Sequence, residues 1–484
     1  MDKNEINIFE FKSNAFNIFN NKYRHFLELR KTIQSIFIKK NKKINNKAST
    51  HTSKIIKYVR YNNPLLKKVE NFFLITSIII FILLSTNGIL CDSFVILKIN
   101  KAGRYKILYN GGVGSTNHPC HIAPNLPTRM TINENEIDPT TRKYDFNETN
   151  NTIKLYYEDS KNDFRCLFYG CSDIDEIDAS HLNTSNAKQM EFMFYQCSSL
   201  TSLTLSNINT EKVVSMRSMF NYCSSLTSID VSSFITTSVQ DMAYMFEECT
   251  KLASINLSNF DTSNVLYMDS LFKGCISLTT LDITNFKTSK VTRMTQMFRN
   301  CFLITSLDLS NFNTSSVVYI NDMFHKCRLL TSLNLSNFIT EKVIDMQGMF
   351  DACYNLKYLD IHNFDTSLVN NMSYMFFNCE SLESINVANF NTANVLKMYA
   401  MFGNCYTLTT LDVTNFDTSL VTDIGFMFSG CRNLTNIDLS NLNTSSAINF
   451  AFIFYNSISL SSLNVTTFNT ENAENLNALF LNCL

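Results

Sequence analysis

A cysteine recurs every 26 residues from Cys171 onward, and this fixed period constrains the fold more than any other feature of the sequence. The one vacant position of this grid is filled by Ser457. A repeat of constant length without insertions predicts a stacked array, in which each unit packs against its two neighbours. The cysteines on the grid are Cys171, Cys197, Cys223, Cys249, Cys275, Cys301, Cys327, Cys353, Cys379, Cys405, Cys431 and Cys483.

The first half of each unit predicts a β-strand with one buried face. In the unit that begins at Cys223, Leu226, Ile229 and Val231 have the spacing L-x-x-L-x-L of a leucine-rich-repeat strand. These apolar residues alternate with Ser and Asp, as a strand that is buried on one side requires. About twelve such strands, one per unit, would stack into a parallel sheet.

The second half of each unit predicts a short helix. Val239, Met242, Met245 and Phe246 lie three or four residues apart and therefore form one apolar stripe. A threonine precedes this stripe in every unit, as Thr236 does here, and we interpret it as the helix N-cap. Gly or Asn, which tolerate left-handed backbone, often stands before the grid cysteine and indicates the end of the helix. These residues are Gly170, Gly274, Asn300, Asn378, Asn404, Gly430, Asn456 and Asn482.

The repeated units thus predict an α/β fold class: a leucine-rich-repeat solenoid over residues 166–484, with a parallel sheet on one side and short helices on the other. The cysteines and threonines that recur in each unit are interpreted as structural. The structural residues singled out are Cys197, Cys223, Cys249, Cys301, Cys353, Cys405, Thr210, Thr236 and Thr262.

The N-terminal part of the chain has a different character. Residues 1–70 carry 16 Lys or Arg against 5 Asp or Glu, which predicts a largely disordered basic tail. Residues 71–91 are apolar over about the 20 residues that a transmembrane helix needs. Because the basic tail lies on one side of this segment, the positive-inside rule predicts a signal anchor with a cytoplasmic N-terminus. A cleaved signal, which would make the protein secreted, and a buried core helix are the alternatives.

Residues 92–165 predict a small β domain that covers the first repeat. Alternating runs such as SFVILKIN and IKLYYED are typical of strands, and Pro124, Pro127 and Pro139 interrupt them. His118, Cys120 and His121 lie close together but lack the spacing of a zinc finger, so the sequence predicts no metal site there.

The exposed face of the predicted sheet is polar. An Asp or Asn lies between the two buried strand residues of nearly every unit, and Tyr358 and His362 are the aromatic exceptions near it. Neighbouring carboxylates would lie about 5 Å apart, so a solvated polar ladder is favoured and a Ca²⁺ site is the alternative. The candidate ligand-binding residues are Asp230, Asp282, Asp308, Asp360, Asp412, Asp438, Asn256, Asn334, Tyr358 and His362.

The grid cysteines lie on the apolar stripe, which favours buried thiols over disulfides. Disulfides are more plausible among Cys91, Cys120, Cys166 and Cys171, at the start of the array. The other histidines are scattered and form no Ser-His-Asp or Cys-His grouping, so neither a catalytic site nor a cofactor is predicted.

Units of the form SLTSLDLSNFDTSNVxxMxxMFxxC resemble the BspA-like leucine-rich-repeat surface proteins and the related mycoplasma surface-protein repeat. The resemblance covers roughly residues 166–484 and implies a non-catalytic protein of adhesion or recognition. We therefore expect a single-pass membrane protein that binds protein or glycan ligands outside the cell and no nucleic acid. A receptor that signals through its basic cytoplasmic tail is the alternative, and an enzyme ranks third.

Overall fold

The computed structural model describes residues 93–108, 120, 126–159 and 161–483. The basic tail and the apolar segment 71–91 lie outside these residues, as do the predictions made for them. Within the described part of the chain, no helix is long and apolar enough to cross a bilayer.

Short strands are the regular elements of the described residues. An antiparallel group, in the order β4-β3-β6-β1, lies before the array, and β2 pairs separately with β5. The strands are β1 (Ser93–Ile99), β2 (Gly103–Lys106), β3 (Arg129–Ile132), β4 (Asn135–Ile137), β5 (Lys143–Phe146), β6 (Asn151–Tyr157), β7 (Glu176–Asp178), β8 (Ser202–Thr204), β9 (Ser332–Asn334), β10 (Tyr358–Asp360), β11 (Asn436–Ile437) and β12 (Ser462–Leu463).

The antiparallel group continues into the array through β1. Leu97 of β1 lies opposite Ile153 of β6 on one side and opposite Ile177 of β7 on the other. From β7 onward the pairing is parallel, with β8 beside β7, β10 beside β9 and β12 beside β11, each 26 residues apart. Because β7 is already paired with β1, the first coil does not present an open strand edge.

The prediction of short helices, and with it the α/β fold class, is wrong: no described residue is helical. The predicted helical segments are successive turns instead. A second row of parallel bridges runs along this side of the array, one residue per coil. Its members are Asp163, Gln189, Ser215, Asp241, Tyr267, Arg293, Tyr319, Asp345, Asn371, Lys397, Asp423, Asn449 and Asn475.

Backbone hydrogen bonding explains why turns replace the helix. The Tyr244 N–H donates to the Asp269 carbonyl of the next coil at 2.8 Å, whereas the Met245 N–H donates to Met242 within its own coil at 3.2 Å. Alternate N–H groups thus leave the coil, and a helix would need all of them internally. Tyr244 adopts a φ of 62°, which turns the chain so that this alternation continues. The same left-handed geometry is found at every Gly and Asn that the sequence marked as a helix end.

Side chains from each coil fill a continuous core. Met242, Met245 and Phe246 still point inward, because these turns repeat nearly the three-to-four-residue spacing of a helix. One phenylalanine per coil forms a stack of thirteen rings from Phe168 to Phe480, with successive centroids 5.5 to 6.1 Å apart. Such regular spacing means that each coil is placed on the last by nearly the same operation.

Candidate functional site: the polar strand face

The grid cysteines from Cys171 to Cys431 are buried thiols, as predicted, whereas Cys483 is a free thiol that is only half-buried. The Cys301 Sγ donates to the Phe272 carbonyl of the preceding coil at 3.2 Å, and the same bond recurs along the array. Ser457 makes it in the vacant position, with its Oγ 2.8 Å from the Phe428 carbonyl. Burial raises the pKa of the Cys249 thiol to about 12, so it stays protonated.

The disulfide of the described residues joins Cys120 to Cys166, two of the four cysteines for which the sequence made disulfides more plausible. Cys171 is a free, buried thiol, and Cys91 lies outside the described residues.

The threonines predicted as helix N-caps bond to the neighbouring coil instead. The Thr262 hydroxyl accepts a hydrogen bond from the Lys287 N–H at 2.7 Å and donates to the Lys287 carbonyl at 3.0 Å. Thr210 and Thr236 make the same two bonds, and all three side chains are buried. The hydroxyl does satisfy a free N–H, but one that lies 25 residues away in the sequence.

Replacing Thr262 with valine should lower the free energy of unfolding by about 1–3 kcal/mol, because valine keeps the shape but leaves the Lys287 N–H and carbonyl unpaired. Urea denaturation followed by circular dichroism measures the loss. Thr262→Ser, which keeps the hydroxyl, is the matched control and should lose less. A loss in Thr262→Ser as large as that in Thr262→Val would show that the hydroxyl contributes no more to stability than the methyl group does.

A row of asparagines links the coils and was missed by the sequence analysis. The Asn285 side-chain amide donates to the Leu257 carbonyl at 3.0 Å and to the Phe260 carbonyl at 2.9 Å. Its recurrence at one position of the unit, directly before Phe, Leu or Ile, was the available signal. The asparagines with such bonds are Asn207, Asn259, Asn285, Asn311, Asn337, Asn363, Asn389, Asn415 and Asn441.

The strand-face Asp and Asn side chains are exposed and bond only within their own coil. The Asp308 Oδ1 accepts a hydrogen bond from the Ser310 N–H at 3.0 Å, and Asn334 does the same with Ser336 at 3.1 Å. This is an Asx turn, which ends the strand. The same turn forms at Asp230, Asn256, Asp282, Asp360, Asp412 and Asp438.

These turns also keep the aspartates ionised. The hydrogen bond from Thr284 lowers the pKa of Asp282, although the neighbouring Asp308 raises it. Hydrogen bonding therefore outweighs the repulsion that suggested a Ca²⁺ ion between the carboxylates. No group of three or more His, Cys, Asp or Glu side chains that could hold a metal ion occurs among the described residues.

Tyr358 begins β10, and His362 lies two residues after the end of this strand. The Tyr358 side chain is 59% exposed, and its hydroxyl donates to Glu383 at 3.2 Å. The His362 Nδ1 lies 2.6 Å from the Asp360 Oδ1. Two to four coils earlier, Asp308, Asp282 and Asn256 line a shallow open groove with Ser and Thr side chains. The face offers hydroxyl, amide and carboxylate groups over a long surface.

Stacked coils of constant length, paired in parallel on two sides, define a turn-rich solenoid repeat protein. The chain belongs to the family described as "Mycoplasma protein of unknown function, DUF285", whose model matches residues 162–255, 252–333, 330–410 and 406–484. The mycoplasma-type repeat expected from the sequence is thereby confirmed, whereas the BspA-like proteins are not named by the match.

No curated protein matches the chain. A solved structure with partial similarity is titled "Crystal structure of TLR13-ssRNA13 complex", at 16% identity and a TM-score of 0.22. The alignment covers 62% of this chain and 47% of that one, so the present chain spans about half of that protein.

Proposed function

We propose that this chain is a non-catalytic repeat protein of adhesion or recognition that binds macromolecules through its polar strand face. One observation carries the proposal. The recurring Cys, Thr and Asn side chains are used in bonds between coils, whereas the strand-face Asp and Asn are exposed and bond only locally. Similar groups repeated along a regular array favour binding by many weak contacts at once.

The ionised aspartates indicate which ligands suit this face. Asp230, Asp282 and Asp308 have lowered pKa values because hydroxyl and backbone groups bond to their carboxylates. A row of negative charges repels nucleic acid phosphates and attracts cationic protein segments, while the Ser and Thr hydroxyls suit hydrogen-bonding glycans. Protein or glycan ligands therefore fit the face better than nucleic acid.

We further propose that the array acts outside the cytoplasm. The disulfide between Cys120 and Cys166 supports this location, because disulfides persist in oxidising compartments. The buried thiols of the array are compatible with it, since burial and a raised pKa protect them from oxidation.

A binding screen with two charge-neutralising variants tests the proposal. The purified full chain is applied to arrays of extracellular-matrix proteins and of glycans, beside Asp282→Asn/Asp308→Asn and Asp412→Asn/Asp438→Asn. Asn256 and Asn334 occupy the same position naturally, so both variants should fold. We expect binding that weakens about tenfold in at least one variant. Absence of binding to every array member, or unchanged binding in both variants, would contradict the proposal.

A further inference from the structure

The residues directly after the grid cysteines form a ridge beside the strand face, which we call the corner ridge. In the early coils this position is Ser or Thr, and the Thr250 hydroxyl donates to the Ser224 carbonyl at 3.2 Å. From Ile276 onward, larger side chains replace the hydroxyl, and such side chains are not needed to join the coils. The corner-ridge residues from this point are Ile276, Phe302, Arg328, Tyr354, Glu380, Tyr406, Arg432 and Ile458.

Arg328 is held between two aromatic rings of this ridge. Its guanidinium carbon lies 4.2 Å from the Phe302 ring centroid and 5.9 Å from the Tyr354 ring centroid. Cation–π contacts on both sides fix the planar guanidinium before any ligand arrives. Arg432 repeats one half of this arrangement, 4.4 Å from the Tyr406 ring centroid.

The charge of Arg328 is not neutralised by the described residues. Several other arginines of the array pair with carboxylates: Arg293 lies 3.0 Å from Asp269, and Arg299 lies 2.9 Å from Asp322. Arg328 is exposed, and its guanidinium makes no ion pair with any described residue. A fixed, unpaired guanidinium is suited to bidentate binding of a carboxylate from a partner.

Apolar side chains border the same cation. Leu303 and Leu329 follow Phe302 and Arg328 directly in sequence and are 42% and 38% exposed. Aromatic residues, Arg and leucine side chains in one patch match the composition of protein interfaces. Leucine offers a glycan no hydrogen bond, whereas it packs well against an apolar peptide side chain. The patch therefore favours a protein partner.

We propose that Phe302, Leu303, Arg328, Leu329 and Tyr354 form a docking surface for a protein segment that carries a carboxylate beside an apolar side chain. The guanidinium of Arg328 binds the carboxylate, and the two leucines cover the apolar group. The inference rests on the proposed binding function but uses a surface separate from the strand-face aspartates.

Peptide selection tests this surface. A random dodecapeptide library displayed on phage is selected on the full-length protein, and enriched peptides are synthesised for titration. We expect sequences with Asp or Glu next to Leu or Phe, and an affinity about tenfold weaker for Arg328→Ser. Phe302→Ser should weaken binding similarly, and Arg328→Lys, which keeps the charge but not the planar fork, should weaken it less.

Two controls separate the possible outcomes. Lys342→Ser removes an exposed positive charge close to the buried Thr340, away from the ridge, and should leave the affinity unchanged. Thermal unfolding of each variant checks that the fold is intact. Selection of no peptide, or of peptides that bind Arg328→Ser as well as the original, would overturn the docking surface. Peptides that lose binding only in Asp282→Asn/Asp308→Asn would overturn it too, while supporting the strand-face function.

Discussion

Replacing Phe298 with alanine should lower the free energy of unfolding by about 3–5 kcal/mol, one of the two largest effects that we expect. The ring is fully buried and stacks between Phe272 and Phe324, at centroid distances of 6.0 and 5.7 Å. Its removal leaves a cavity bordered by three coils, because the neighbouring rings are fixed by their own stacks. Urea denaturation followed by circular dichroism measures the change.

Phe302 provides the matched control for this experiment. It lies four residues further along the chain, but its ring is only half-buried and is covered by Arg328. Phe302→Ala should therefore cost about 1 kcal/mol or less. If the two alanine variants lost the same stability, the ring stack would not be the centre of the core.

Alkaline solution should destabilise the array through its thiols. Burial raises the pKa of Cys249, Cys327 and Cys431 to about 12 each, from the value of 9.0 that an exposed thiol has. The folded state therefore holds these protons more tightly than the unfolded state. The stabilisation is fully present below pH 9 and is lost as the pH rises toward 12, by about 2 kcal/mol per thiol at pH 10.5.

A serine variant isolates this effect from other groups that ionise in the same range. Cys249→Ser/Cys327→Ser/Cys431→Ser should fold, because Ser457 already occupies the grid with the same hydrogen bond. Guanidinium denaturation at pH 8 and pH 10.5 should show a smaller loss in the variant than in the original protein. Lysines and tyrosines ionise in both proteins, so equal losses would mean that the thiols do not control alkaline stability.

The inward side chains could be predicted from the sequence, because their spacing is set by the buried face whatever the backbone conformation. Met242, Met245 and Phe246 are buried in both the predicted helix and the observed turns. For the same reason, this spacing could not distinguish a helix from the observed turns. The hydrogen bonds that decide between them join residues 25 positions apart, as from Tyr244 to Asp269, and local patterns do not contain that information.

The candidate site was predictable in position but not in detail. Alternation along the strand correctly placed Asp308 and Asn334 on an exposed face. It did not reveal the Asx turns, because these depend on the backbone two residues later. The corner ridge was missed for a different reason. A repeat is recognised from the residues that are constant between units, whereas Arg328 occupies a position at which the units differ.

Continuous backbone pairing between coils also makes the coils interchangeable. Each coil makes the same hydrogen bonds with the coil before it as with the coil after it. The Thr236 and Thr262 hydroxyls illustrate this, because each bonds in the same way to the next coil. If one complete unit were duplicated or lost, the coils on either side of the change would therefore still pair through the same hydrogen bonds. A change in the number of units would lengthen or shorten the array in steps of about 5 Å and would leave the packing of its core unchanged.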